Sequence, residues 1–358
     1  NIGTIPDEST IQIKVGDEVV GAIDESFLER LKRGDVFVLG GQRYEFKYAR
    51  GQTAQVTSTS DRPPTIPSWF SEMLPLSFDL ATEIQKFRYY IEELFKDKVD
   101  KDRILHFIDD YLYLDEDGRN AIYEYFKEQY LYTGEIPNIR KIIVEHYKDK
   151  NKKYVIFHTL YGRRVNDVLS RVIAYIISRI NHRDVEVGIN DNGFYISCEK
   201  AMQAVKAIKM IKTNELEDIA KISIDKSEIL RRRFRHCAAR SLMILRQYKG
   251  KKKGVGRQQV SSMILLNAVR RIDNNFPILM EARREILEDL MDIKNAKIVI
   301  SGIENNSTKI KEISTDVPSP FAFNIISQSY TDVLKIEDKI EFLKRMHKKV
   351  QERIKDKG

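Results

Sequence analysis

"KYVIFHTLYGRRVNDVLSRVIAYIISRI", residues Lys153–Ile180, changes period in mid-course. Tyr154, Val155, Ile156 and Phe157 form an unbroken apolar run that reads as a strand. Gly162 marks a turn, and from Val165 onward apolar residues recur at three- and four-residue intervals, which predicts a helix. "DVEVGINDNGFYIS" (184–197) then alternates around an Asp191-Asn192-Gly193 turn. The whole reads β-α-β, and the class it points to is α+β. Arg163 and Arg164 open the helix, where positive charge opposes the helix dipole. Either an anion is bound there or the two form a surface pair that bonds elsewhere.

Upstream, residues 1–62 read as a β-rich, barrel-like element. "TIQIKVGDEVVGAI" and "DVFVLGGQRYEFKYARGQTAQVTSTS" alternate polar and apolar residues between glycine turns, with the short helical stretch "DESFLERLKRGD" between them. Residues 63–76 are a stiff connector: Pro63, Pro64, Pro67 and Pro75 flank Trp69, the chain's one tryptophan. Residues 77–148 read as a helical subdomain that includes "NIRKIIVEHYKDK", and 149–224 as the β-α-β element plus a helix. Residues 225–358 read as a second helical subdomain. It is interrupted by a Lys/Gly loop at 249–256, the polar loop "SGIENNSTKIKEIS" and the aromatic turn "PSPFAFN". The overall expectation is a small N-terminal β-barrel-like element followed by winged-helix-like and mostly helical elements.

The 358 residues, 42% apolar and 32% charged, suit a soluble globular chain of several domains. No apolar window reaches the length of a membrane span, and the first residues show no signal peptide. The chain starts at Asn1 rather than Met, which reads as a piece of a longer polypeptide. Two cysteines, Cys198 and Cys237, point to a reducing, cytoplasmic setting. Six scattered histidines offer no metal-ligand spacing. No phosphate-binding loop, dinucleotide fingerprint, nucleophile elbow or zinc motif occurs, so no self-contained active site is expected.

A net charge of +8 and an isoelectric point near 9.1 favour a polyanionic partner over a membrane. The charge concentrates in "LRRRFRHCAARSLMILRQYKGKKKGVGRQQ" (230–259), which has no acidic residue. On a helical wheel Leu230, Phe234, Cys237, Ala238, Ser241, Ile244, Leu245 and Tyr248 share one sector. Arg232, Arg235, His236, Arg240 and Arg246 take the other, and Lys251, Lys252, Lys253 and Arg257 continue the charge. A solvated helix face ordinarily mixes both signs, so an all-positive one predicts a phosphate-binding surface. The glycines at 250, 254 and 256 let backbone approach phosphates, and Gln258 and Gln259, near a helix N-terminus, can hydrogen-bond a backbone or a base. Trp69 is either a core anchor for the connector or a platform on which an unpaired base stacks.

Taken together, "VGAIDESFLERLKRGDVFVLGGQRYE", "PTIPSWFSEMLPLS", "IFHTLYGRRVND", "DNGFYIS", the basic stretch, "PSPFAFN" and "DVLKIEDKIEFLKRMH" resemble the C-terminal, DEAD/H-associated region of archaeal Lhr-type (large helicase-related) superfamily 2 helicases. The resemblance implies a parent enzyme that translocates 3′ to 5′ on single-stranded DNA or RNA and unwinds duplex junctions. ATP and Mg²⁺ would belong to RecA-like motor domains of the same polypeptide, outside this chain, and no cofactor is expected within it. It also implies that Trp69 stacks on a base of the tracking strand, its neighbours Pro67 and Glu72 matching while Ser71 stands where the family pattern has Gly. Ile5 would make an apolar contact to that strand. Architecturally related glycosylases use a Gln-apolar-Gln motif that "RQQV" lacks. A base-excision activity using Asp191 or a Gln, and a protein-docking platform, are the alternative functions.

Overall fold

The computed structural model describes residues 10–28, 31, 33–50, 53–59, 74–149, 152–181, 185–199, 202–225, 227–245, 247–248, 251–252, 255–327 and 336–357. The chain divides into two compact units, one of residues 1–74 and 225–286, the other of 75–224 and 287–358. Each is discontinuous in sequence, and the segment expected as a single helical subdomain, 225–358, is shared between them. Composition marks where a chain turns polar, but which segments pack together depends on contacts far apart in sequence.

The first unit begins with β1 (Thr10–Val15), β2 (Glu18–Asp24), α1 (Glu25–Leu28), β3 (Val36–Leu39), β4 (Gln42–Arg50) and β5 (Thr53–Ser58). The sheet order is β2-β1-β5-β4-β3, with β1 and β5 parallel and the other pairs antiparallel. The alternation in the sequence buries Ile11, Ile13, Phe37, Tyr44, Phe46, Ala54 and Val56 together, with Leu28 and Leu31 beside them. β2 and β3 are opposite edges of the sheet, yet a Cβ at Gly21 in β2 would lie 2.8 Å from the Leu39 side chain in β3. The sheet therefore curls until its edges meet, giving the expected barrel-like element.

The second unit opens with α2 (Phe78–Lys96), α3 (Lys101–Tyr111) and α4 (Glu116–Thr133). Ser77, Asp100 and Asp115 cap them, accepting from the backbone N–H of Leu80, Arg103 and Gly118 at 3.2, 3.1 and 2.8 Å. Phe87, Ile91, Ile104, Ile108, Tyr123 and Phe126 form their shared core.

Next come β6 (Lys141–Asp149), β7 (Lys152–His158), α5 (Arg163–Asn181), β8 (Glu186–Asn190) and β9 (Gly193–Cys198). "NIRKIIVEHYKDK", expected as helix, is thus largely strand β6. Ile142, Ile143 and Val144 are β-branched and buried in succession, as a central strand requires. A fully buried Glu145 interrupts that apolar run and hides it from a periodicity reading. α6 (Ala204–Lys209) and α7 (Leu216–Ile224) complete this part, and α5 packs against α6, α7, β8 and β9.

The chain then returns to the first unit with α8 (Glu228–Arg240), the short strands β10 (Gln247–Tyr248) and β11 (Lys251–Lys252), α9 (Val255–Ile272) and α10 (Pro277–Arg284). α8 packs against both α9 and α10. A π-helical segment, Glu285–Leu290, follows.

The remainder belongs to the second unit: α11 (Ile293–Glu304), β12 (Lys309–Thr315), α12 (Pro320–Ile326) and α13 (Ile336–Lys357). The expected polar loop at 301–314 contains β12, which pairs in parallel with β6 over its whole length and completes the order β12-β6-β7-β9-β8. A half-exposed edge strand has little apolar signal of its own, and only its distant partner organises it. "PSPFAFN" is the start of helix α12 rather than a turn, with Pro320 in its first turn. Ala322, Ile325 and Ile326 of α12 pack on Tyr147, Tyr154, Ile156 and Tyr195. Residues of the opposite parity, Val155, Phe157, Phe194 and Ile196, are buried too, so the sheet is covered on both faces.

Candidate nucleic-acid interface

The basic helix follows its expected stripe for three turns. Leu230, Phe234, Cys237 and Ala238 are buried, at the spacing of one helix face. It then stops at Arg240, eight residues before the wheel expected, with Leu242 in the left-handed region at φ 60°. Ser241 and Leu245 are exposed and Tyr248 stands in β10, so none of the three extends the stripe. Ile244 is buried nevertheless, its N–H donating to Ala238 O at 3.0 Å across the turn.

The arginines of α8 have separate fates. Glu285 is buried and receives both Arg233, at 3.3 Å, and Arg240. Arg240, read in the sequence as a strand contact, is an internal tie within this unit. Its guanidinium also lies 3.3 Å from Cys237 Sγ. Burial, with Glu285 nearby, pushes the Cys237 thiol up to about 11, so the cysteine is a protonated packing group and not a nucleophile. Arg235, expected on the solvent side, is buried. Arg231 is exposed and paired with Glu228 at 3.1 Å.

Between α8 and α9 lies a cleft of about 310 Å³. Arg231, Arg232 and Arg235 line one wall; Gln259, Val260, Ser262, Met263 and Leu266 line the other. The acid in this lining, Glu228, is the partner of Arg231. The sequence pointed to the arginine wall and to Gln259, but not to Val260, Ser262, Met263 and Leu266 of the α9 wall. The signal was present: Gln259, Met263 and Leu266 stand at i, i+4 and i+7 on one face of the next helix. Arg257 is exposed at the start of α9, whereas Gln258 is turned into the interior. Lys251 and Lys252 are placed by backbone pairing with Tyr248 and Gln247. Trp69, Ile5, Arg246 and Lys253 lie outside the described residues.

Arg163 and Arg164 belong to the other unit. The anion that the start of α5 calls for is the chain's own Asp191. Its Oδ1 accepts from the backbone N–H of Arg163 at 2.8 Å and of Leu76 at 3.1 Å. Its carbonyl accepts from Gly162 N–H and Asn166 Nδ2, both at 3.2 Å. Gly162 has φ 84°, and a Cβ there would lie 2.2 Å from Leu76 O, so only glycine fits. Arg164 Nη2 donates to the carbonyls of Glu288 and Met291 at 2.7 and 3.0 Å. Arg163 is exposed. Asp191, named for the base-excision alternative, thus joins the β8–β9 turn to the start of α5.

The cleft can do two things chemically. Guanidinium groups neutralise phosphates, and the Val260–Met263–Leu266 wall offers an apolar surface to sugars and bases. Among the described residues no group of three His, Cys, Asp or Glu could hold a metal, and no helix is long and apolar enough to cross a membrane.

Comparison with known proteins adds the following. A family described as DEAD/H associated matches residues 136–322, and one described as large helicase-related protein, winged helix domain, matches residues 1–66. The described part of the second match is the curled five-stranded sheet. The chain is 53% identical to the ATP-dependent helicase Lhr-Core of Methanothermobacter thermautotrophicus over 99% of its own length, and spans 41% of the length of that relative. It is 25% identical to the Lhr helicase/uracil glycosylase of Escherichia coli over 90% of its length, which is 21% of that protein. The solved structure of Mycobacterium smegmatis helicase Lhr bound to ssDNA and AMP-PNP is similar with a TM-score of 0.62 at 24% identity. That likeness covers 74% of this chain and 33% of the solved one.

Proposed function

The chain belongs to the DEAD/H-associated family of Lhr-type helicases, and on that premise we propose that it is the strand-holding part of such an enzyme. The single-stranded nucleic acid lies in the α8–α9 cleft. Arg231 and Arg232 take its phosphates, Arg257 extends the positive track, and Val260 and Met263 meet sugar and base. Such a grip follows the backbone and tolerates any sequence, as translocation along a strand demands. Trp69 stacks on a base of that strand and couples strand movement to opening of the duplex. ATP hydrolysis is the work of RecA-like motor domains acting on the same strand.

The observation that carries this reading is the cleft itself, with Arg231 and Arg232 opposite a helix wall that carries Val260, Met263 and Leu266. The test is fluorescence anisotropy of a labelled single-stranded oligonucleotide over a range of salt. The expected log K falls steeply with log[salt], and Arg231→Ala with Arg232→Ala reduces the slope by about one for each phosphate contact removed. Salt-independent affinity, or an unchanged slope in the double variant, overturns it. For Trp69, Trp69→Ala in the parent helicase lowers unwinding while leaving strand affinity within about 1–3 kcal/mol of wild type; unchanged unwinding removes it from the mechanism.

A further inference from the structure

Helices α2 to α4 carry a surface unlike the cleft in every respect. Between Phe78 and Thr133 there are eight Lys or Arg against fourteen Asp or Glu, in a chain of net charge +8. On this acidic subdomain lies a connected aromatic face. Tyr90 of α2 and Tyr111 of α3 are exposed, their ring centroids 6.5 Å apart. Phe107 lies between them, 6.2 Å from Tyr90 and 5.6 Å from Tyr111, and Tyr113 and Leu114 continue the exposed apolar surface into the following loop. A contiguous apolar patch on a protein surface marks an interaction site when it exceeds a few hundred Å².

The chemistry of that partner can be read from the neighbouring rings. Arg140 sits 4.4 Å over Tyr89, and Lys101 and Lys127 sit 5.1 and 5.6 Å over Tyr123. Among the described residues no cation lies over Tyr90 or Tyr111. Lys86, one turn before Tyr90 on α2, is held by Glu83 at 2.7 Å. Asp110, on α3 next to Tyr111, and Glu116 and Asp117, at the start of α4, are exposed, with Asp110 3.5 Å from His106 and Glu116 3.8 Å from Arg119; the net negative charge of this part repels phosphate and attracts cations.

We propose that the Tyr90–Tyr111 face docks an Arg- or Lys-rich, partly apolar segment of a protein partner. Its cations take the open ring faces and those exposed carboxylates, and its apolar side chains take Phe107, Tyr113 and Leu114. The site lies on elements apart from α8 and α9, so it stands or falls independently of strand binding.

The test titrates the full chain with a fluorescein-labelled peptide alternating Arg and Leu, and with the same peptide carrying Glu for Arg. The Arg peptide binds, and Tyr90→Ser with Tyr111→Ser weakens it about tenfold or more, the size of a lost interface anchor. Glu116→Gln with Asp117→Asn, at exposed positions in the first turn of α4 and checked for native circular dichroism, flattens the salt dependence. Affinity for single-stranded DNA is unchanged in both variants. The proposal is overturned if the Glu peptide binds equally well, or if both variants keep full peptide affinity. It is also overturned if the tyrosine variant, with native circular dichroism, loses strand binding. Self-association in sedimentation that the tyrosine variant abolishes overturns it as well, by assigning the face to a second copy.

Discussion

The cleft between α8 and α9 and the buried sheet around β6 are both built on charged side chains, and the charges are disposed in opposite ways. In the sheet they are closed on themselves. Glu145 is fully buried and accepts from Ser319 N–H, Ser319 Oγ and Thr315 Oγ1, each at 2.7 Å, with His158 Nε2 at 2.8 Å. Nearby, Glu92 takes Ile136 N–H at 2.9 Å, Asn138 Nδ2 at 2.7 Å and Lys141. Ser319, Glu145 and His158 include the residue types of a catalytic constellation, yet all three are buried with their bonds turned inward. In the cleft, Arg231 is exposed and paired with Glu228, and Arg232 lines the same groove beside an apolar wall, while Arg235 lies buried at its base. A charge inside a completed network specifies architecture, whereas a charge at the edge of a groove can also reach a ligand.

The sharpest way to break this contrast is to remove Glu145. Glu145→Ala leaves buried donors without an acceptor, and a loss of about 3–5 kcal/mol is expected in chemical denaturation. Burial pushes the Glu145 carboxyl up, but the His158, Ser319 and Thr315 bonds outweigh it and hold the group below its ordinary value. A depressed carboxylate stabilises the fold above its unfolded pKa and loses that contribution as pH falls through the folded one. The wild type is therefore acid-sensitive below pH 4.5, the ordinary value, and Glu145→Ala is less so. Equal steepness of the two acid profiles would refute the assignment.

Asp191→Ala comes next, at about 1–3 kcal/mol for the orphaned N–H groups of Leu76 and Arg163. If that variant melts normally but loses strand affinity, Asp191 belongs to the ligand and not to the turn. In the cleft, Met263→Glu sets a carboxylate against phosphate and weakens oligonucleotide binding about tenfold, roughly 1.4 kcal/mol, with no change in melting temperature. A stability loss without a binding loss would return the α9 wall to the core. The smallest effect is at Glu217. Hydrogen bonds from Lys297 and then Lys221 hold its carboxyl down at about 2. This exposed network contributes under about 1 kcal/mol, present above pH 4.5 and fading toward pH 2. Glu217→Gln should barely shift the melt at pH 7.

How much of this was legible in advance depended on how local the cause was. The β-α-β pattern at 153–197, the alternation of the first sixty residues and the Phe234–Cys237–Ala238 stripe are each set by neighbours a few residues away, and they appear as expected. β6 and β12 do not, because Glu145 is polar and β12 is half exposed; β6 is fixed by its pairing with β7 and β12, and β12 by its parallel pairing with β6. Arginine illustrates the same limit. The run from Arg231 to Arg240 shows where positive charge gathers, but Arg240 goes to Glu285, forty-five residues on, and Arg235 goes inside.

The sequence by itself determined the α+β class, the positive charge and its concentration in one stretch, and the family resemblance, since all three reside in residue type and order. The tertiary structure alone decided which arginines face a groove, which are spent on Glu285 or on carbonyls, and that α9 supplies the second wall. Those outcomes rest on contacts between residues distant in the chain, where burial and hydrogen-bond partners, not residue identity, settle what a charge can reach.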